Sequence, residues 1–337
     1  MANPLPDRFP TSVAGLPTAR AAEIVELADG DRFDLRIAPV AKRLGDGDTT
    51  VRMLAYNGSV PGPTLKVREG SEVVVDIENQ GDVEATVHWH GLLLENRYDG
   101  THETQRPVAV GERFSARLRF PDPGIYWYHP HIREDYGQEL GLYGNVLVEP
   151  ADPRYWPQVH REVLLTLDDI LIEGGAVAPF SRATTTYSAM GRYGDVLLVS
   201  GETDLSMRAR PGEVVRFHLT NTANTRVFKV ALPRAPVKLV GGDSGRVEHE
   251  EIVDHVVLAP SERAVVDVPF DGPRSLALEH RTPDRTYRLA SIRVTGERAE
   301  PPLDDRFAAL RTNAATTATT RRVTASSGKT TWSTSTG

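Results

Sequence analysis

Two His-x-His pairs, His88/His90 and His129/His131, are the residues in this chain best suited to chemistry. Side chains on a β-strand alternate faces with a period of two. On strands, the two histidines of each pair therefore point the same way, while Trp89 and Pro130 point the other. Two such faces set opposite each other would bring four imidazoles to one small volume. Imidazole suits copper, zinc, iron and nickel, so the spacing predicts a transition-metal site without naming the metal. A lone His-x-His in a β protein is ordinarily chance or surface. Two pairs within one segment, each beside aromatic residues and the first closed by Gly91, are a different observation.

The elements that must position these histidines are short strands between turns. Phe33, Leu35 and Ile37 alternate with polar neighbours, and so do Val73, Val75 and Ile77 against Glu72, Asp76 and Glu78. Pro61-Gly62-Pro63, Glu69-Gly70 and Pro121-Asp122-Pro123-Gly124 are turn signals, the last feeding directly into the His129 strand. This texture predicts an all-β fold built of Greek-key β-sandwiches. A first domain is expected over 31–150 and a second over 154–296, parted at Pro150-Ala151-Asp152-Pro153. In the second, Pro211-Gly212-Glu213 echoes Glu69-Gly70-Ser71, as two related sandwiches would. Ala21–Leu27 is the one early stretch with helical character, and it is too short to stand alone. Residues 297–337 are expected to be a linker and a low-complexity tail; after Arg311 the chain is mostly Thr, Ser, Ala and Arg and lacks the apolar surface to fold. Asp305–Arg311 is expected to form a short helix within it.

Composition narrows the classes. A chain of 337 residues suits two domains, or three on length alone. The formal net charge of −7 argues against nucleic acid or an anionic membrane surface as partner. No apolar run reaches the roughly 18 residues of a membrane-spanning helix. The N-terminal stretch has neither a basic start with an apolar core nor a twin-arginine pair, so the expected location is cytoplasmic by default. Cysteine is absent from the sequence, which excludes disulfides and also any thiolate-bound blue-copper centre within these residues.

The motifs HWHG, YDG, PDPGIYWYHPH and GLYGNVLVEP, taken in that order, resemble the first copper-ligand region of the multicopper oxidases, the laccase-like enzymes. YNGSVPGPTLKVREG (Tyr56 to Gly70) resembles the opening domain of that family, and the stretch from Gly241 to Phe270 resembles its second domain. The resemblance covers about residues 50 to 300. It implies cupredoxin-like sandwiches and copper as cofactor. It assigns His88 to a mononuclear (type 2) copper and His90, His129 and His131 to a binuclear (type 3) pair, half of the ligands of a three-copper cluster that reduces dioxygen to water. Asp99, in YDG, matches an acidic position that orients metal-bound water and relays protons; a plain turn aspartate before Gly100 reads equally well. Tyr126, Trp127 and Tyr128 read as packing beside the site. Glu134, Asp135 and Glu139 read as a solvated loop, His102 as surface, and His160, His218, His249, His255 and His280 as structural.

This sequence departs from the family pattern in lacking the motifs that complete the cluster and hold the electron-accepting copper. The expectation is therefore an apparent truncation, with the copper site half complete and no type 1 site, and a shift of reading frame near Arg311 would account for the change of composition. Four histidines satisfy about one copper. As an enzyme the family oxidises phenols, diphenols or metal ions with dioxygen, but oxidase activity of the isolated chain does not follow. Two rivals stay open. The chain is one subunit of a homo-oligomer or of an assembly whose partner chain supplies the missing ligands, or it is a binding or structural module with an idle metal site. A zinc hydrolase, which needs three ligands and an open position, is a weaker option.

Overall fold

The computed structural model describes residues 9–45, 47, 49–180 and 191–313. Among the described residues the first unit contains nine strands: β1 (Ile24–Glu26), β2 (Arg32–Arg43), β3 (Thr50–Tyr56), β4 (Thr64–Arg68), β5 (Glu72–Asn79), β6 (His88–His90), β7 (Arg113–Arg119), β8 (Gly124–His129) and β9 (Gly144–Glu149). They form a four-stranded sheet in the order β3-β2-β5-β7 and a five-stranded sheet in the order β1-β4-β9-β8-β6. Strand β5 shows how the sequence builds this. Its alternation puts Val73, Val75 and Ile77 into the core while the intervening side chains are half-buried. Leu35, Val75, Leu118, Trp89, Tyr128 and Val146 from the two inner faces meet in one core.

The second unit repeats the plan. Its strands are β10 (Arg161–Ile170), the hairpin β11 (Ile172–Glu173) and β12 (Ala176–Val177), β13 (Val196–Val199), β14 (Leu205–Ala209), β15 (Glu213–Asn221), β16 (Phe228–Ala231), β17 (Val237–Gly242), β18 (Gly245–Val253), β19 (Val256–Leu258), β20 (Arg263–Phe270), β21 (Arg274–Arg281) and β22 (Thr286–Val294). A six-stranded sheet runs β13-β10-β15-β20-β17-β18 and a five-stranded one β14-β22-β21-β16-β19, with a second core between them around Phe217, Phe228, Val266 and Leu289. The echo in the sequence is a structural repeat. Gly70 and Gly212 both have positive φ and donate to Phe120 and Phe270 carbonyls. Each following strand, β5 or β15, ends in a buried asparagine, Asn79 or Asn221, whose amide donates to two carbonyls and whose oxygen accepts from the backbone two residues on. The fold is two cupredoxin-like β-sandwiches in tandem.

Several local expectations are corrected. Ala21–Leu27 is not helical. Ile24–Glu26 pairs in parallel with Thr64–Lys66, because ladder bonds to an existing sheet outweigh a weak helical preference. Residues 297–313 do not run free. Ala299 and Leu303 are buried, Asp304–Ala308 forms a helix (α2), and buried Lys238 donates to the Phe307 carbonyl at 2.8 Å. Arg311 adds an ion pair to buried Glu250 at 2.6 Å. Composition marks a stretch as poor in apolar residues, but it does not show a buried cation waiting for its carbonyls. The low-complexity tail beyond this lies outside the described residues.

The two units meet on the outer face of the five-stranded sheet of the first. Ile125 and Leu147 there pack against Val240 and Val265 of the second unit, with Trp156 from the connection. Each fully buried side chain of this kind contributes about 2 kcal/mol. Polar links flank this patch: Thr220 Oγ1 donates to Asn145 Oδ1 at 2.9 Å and Gln138 Nε2 to the Thr222 carbonyl at 2.8 Å.

Candidate metal centre

Strands β6 and β8 are antiparallel neighbours, and their register sets His88 opposite His129, Trp89 opposite Tyr128 and His90 opposite Trp127. Residues opposite each other in such a pair share a face. The histidines and Trp127 therefore project from one side of the sheet, while Trp89 and Tyr128 fill the first core. This corrects the expected geometry. The two His-x-His pairs do not face each other across a gap; they lie side by side on one face. The reason is register, since the strands carrying them pair directly. His131 lies just past the end of β8. Pro130 removes a ladder donor and stops the strand, and His131 is held by its backbone N–H donating to buried Thr86 Oγ1 at 3.2 Å.

The four rings converge. The centroid of His88 lies 5.5 Å from those of His90 and His129 and 4.6 Å from that of His131. One nitrogen each of His88, His129 and His131 falls within a mutual 4.8 Å. His90 joins through Nδ1, 3.3 Å from His129 Nε2. Trp127 is fully buried and stacks on His129 with centroids 4.0 Å apart, forming the floor of the cluster.

Hydrogen bonds settle the tautomers. His88 Nδ1 donates to the Asp99 main-chain oxygen at 2.6 Å, and His129 Nδ1 to the Pro130 oxygen at 3.1 Å. A carbonyl only accepts, so both Nδ1 atoms carry the proton and both Nε2 lone pairs are free. With His129 Nε2 an acceptor, His90 Nδ1 is the donor of their shared bond. Anchoring one ring nitrogen by a carbonyl while the other stays open is how proteins orient metal-binding imidazoles.

Electrostatics keep the rings neutral. Burial lowers the pKa of His88 against the opposing pull of the Asp99 carbonyl. His90 is pushed down to about 3 by burial, with the Arg263 guanidinium adding to it. Burial and then the neighbouring imidazoles hold His129 well below its ordinary value, and burial lowers His131. At neutral pH each ring keeps one bare nitrogen, and at His88 and His129 it is Nε2. The donor set, four neutral imidazoles with two tautomers fixed by carbonyls, fits copper.

Asp99 touches His88 through its main chain. Its carboxylate stands 3.6 Å from His88 Nδ1, beyond a hydrogen bond, and is about one-third exposed. Gly100 is required beside it: its φ is +83°, and a Cβ there would meet the Val87 carbonyl and stand 2.7 Å from His88 Cα. Glu134 begins a short helix, α1 (Glu134–Gly137), with its carboxylate 3.8 Å from His131 Nδ1; burial raises its pKa. Asp135 is exposed and paired with Arg133. Tyr136 anchors this turn by donating to Asp82, which in turn holds Arg52 in a two-pronged pair.

Glu139 is not in a solvated loop. It is buried between the units, accepting from Arg192 at 3.0 Å, the Leu171 N–H at 3.1 Å and Asn224 at 3.2 Å. Its neighbours come from the second unit, so the local sequence held no sign of them. His102 is exposed beside Glu103. His160, His218, His249 and His280 bond to Pro301, Glu162, Thr312 and the Lys229 N–H, away from the cluster. The residue that sequence reasoning missed is Arg263. It opens β20 within the Gly241–Phe270 stretch, and no local pattern marks it as buried.

Comparison with known proteins gives the family. A family model described as multicopper oxidase matches residues 40–153. The chain is 28% identical over 292 residues to multicopper oxidase MmcO of Mycobacterium tuberculosis, an alignment covering 78% of this chain and 57% of that protein. It thus spans little more than half the length of the curated relatives it matches. Among solved structures, the multicopper oxidase from Pseudomonas thermotolerans superposes with a TM-score of 0.73 at 28% identity, over 82% of this chain and 67% of that one. Lac15 from a marine microbial metagenome does so with a TM-score of 0.68 at 31% identity, over 80% and 68%. The chain belongs to the multicopper oxidase family, whose members bind copper and use dioxygen.

Proposed function

We propose that His88, His90, His129 and His131 hold copper and that the chain supplies this half of the ligands of a laccase-like, dioxygen-reducing copper cluster. The observation that carries the reading is the convergence of four neutral imidazoles on one face of β6 and β8, with two tautomers fixed by carbonyls. Bound copper supplies the redox chemistry of electron transfer to dioxygen. The protein's own residues do the rest. The Asp99 carbonyl and the Pro130 carbonyl hold the Nδ1 protons of His88 and His129 and aim their Nε2 atoms. Trp127 and the second unit exclude water from one side. The carboxylates of Asp99 and Glu134, at the rim near His88 and His131, are placed to hold and pass protons.

Copper titration followed by EPR tests this. About one Cu(II) per chain is expected to bind, with nitrogen hyperfine structure from imidazole. A double variant, His88→Ala with His129→Ala, should lose it, and unchanged affinity in that variant would remove the reading.

A second reading concerns the partner. Strand β6 is the edge of its sheet, and the His88 and His131 side chains keep 16% and 32% of their surface exposed at that edge. This open margin favours completion of the ligand set by another polypeptide, a second copy or a partner chain. Size-exclusion chromatography with and without copper separates the two readings. A copper-loaded monomer inert toward phenolic dyes would count against it.

A further inference from the structure

Strand β6 stops early, and the reason lies in the second unit. His90 pairs with Trp127, so the next bonded pair of a longer ladder would join Leu92 to Ile125. That pair does not form. Gly91 takes a φ of +85°, and the Leu92 N–H turns back to the Trp89 carbonyl at 3.1 Å. The Ile125 carbonyl, in the buried joint between the units, instead accepts from Arg263 Nε at 3.2 Å. The same guanidinium is held from behind: Nη1 donates to the Ser261 carbonyl at 3.0 Å and pairs with Asp243 Oδ1 at 3.0 Å, and Nη2 donates to the Asp243 carbonyl at 3.0 Å. Only 3% of the side chain is exposed. The fit is close, since a Cβ on Gly91 would fall 2.5 Å from Arg263 Nη2 and 3.1 Å from Tyr126 Cδ1.

We propose that Arg263 is a positioning residue for the histidine cluster: its guanidinium takes the Ile125 carbonyl in place of β6, ends that strand at His90, and so sets the place of His90 beside His129. The second domain thereby fixes a ligand of the first. The planar fork matters. Arginine reaches the Ile125 carbonyl and two carbonyls of its own domain at once, whereas a lysine ammonium is a single point that cannot span them. Without the fork, a buried carbonyl is left without a donor, and by the register of the pair the Leu92 N–H is the group that a longer ladder would offer it. That exchange would lengthen β6 and draw His90 along.

This rests on the copper reading above, and the experiment separates the two. Cu(II) titration by EPR is run on the wild-type chain, Arg263→Lys, Arg263→Gln and, for comparison, Arg226→Gln. Arg226 bonds to Asp169 and the Gly194 carbonyl within the second domain. The His90 imidazole is followed by 1H–15N spectra of the metal-free proteins. Both Arg263 variants should weaken copper binding about tenfold or more, as loss of a ligand's supporting contacts does, and both should move the His90 signal. Arg226→Gln should do neither. Wild-type affinity and an unmoved His90 signal in the Arg263 variants would overturn the proposal, as would an equal loss in Arg226→Gln. Should Arg263→Gln not fold, Gly91→Ala presses on the same guanidinium from the first domain and must move the His90 signal; an unmoved signal there also overturns it. A wild-type chain that binds no copper would sink the proposed function instead, while the metal-free spectra would still decide on Arg263.

Discussion

His90 Nδ1 and His129 Nε2 stand 3.3 Å apart, the one donating to the other. Both nitrogens would hold a metal in the proposed cluster, and the fold sets them side by side. His129 is also the most buried of the four, stacked on Trp127. His129→Ala should therefore lower Cu(II) affinity by more than about 100-fold, beyond what loss of a supporting hydrogen bond costs. EPR titration and metal analysis of the purified variant check this; retention of copper within tenfold of wild type would be the contrary result.

Gly100 makes a separate prediction, because it touches no ligand side chain. An alanine there is strained by the φ of +83° and drives a methyl group against the Val87 carbonyl and His88 Cα. The Asp99 carbonyl, which fixes the His88 tautomer, must shift. Gly100→Ala should destabilise the fold by about 1–3 kcal/mol and weaken copper binding about tenfold. Urea denaturation and copper titration measure the two effects independently.

Acid should weaken the metal-free fold through the same histidines. His90 falls to about 3 in the folded chain, and His88, His129 and His131 are lowered too, whereas in the unfolded chain a histidine titrates near 6.5. Between these values the unfolded state binds more protons, so stability rises with pH. It should be full above about pH 6.5 and fall progressively as pH drops from there toward 3. Melting temperature measured from pH 7.5 down to 4 should show this slope, reduced in His90→Gln. An unchanged slope in that variant would show that His90 does not contribute.

Glu139 offers a test of the joint between units. Its carboxylate is buried against Arg192, the Leu171 N–H and Asn224. Removing one partner of a buried pair costs about 3–5 kcal/mol. Glu139→Ala should lower the urea midpoint accordingly, while Asp135→Ala, on the same turn but exposed, should leave it within about 0.5 kcal/mol.

How much was legible beforehand depends on the range of the interaction. The strands with clean alternation, such as β5, were readable because burial on one face imposes a period of two. Strand β18 was not: it lies at a sheet edge, mostly exposed or half-buried, and GRVEHEEIV carries little apolar pattern. Strand β1 was read as helix-like because three residues say less than the ladder they join. The four histidines were found by spacing, and their arrangement was not, since period two leaves open which strands pair.

The sequence by itself determined the donor chemistry and its periodicity: four imidazoles in two pairs, aromatic neighbours, turns before each strand, and no thiolate in 337 residues. Those are properties of residue type and of local alternation, which the chain carries before it folds. Only the tertiary structure decided that His88 stands opposite His129 on one face, that a main-chain carbonyl of Asp99 sets the tautomer of His88, that Glu139 is buried, and that Arg263 donates to the Ile125 carbonyl. Each of these is a contact between segments distant in sequence. Such contacts depend on register and domain packing, where a shift of one residue turns a side chain to the other face, and no local pattern encodes them.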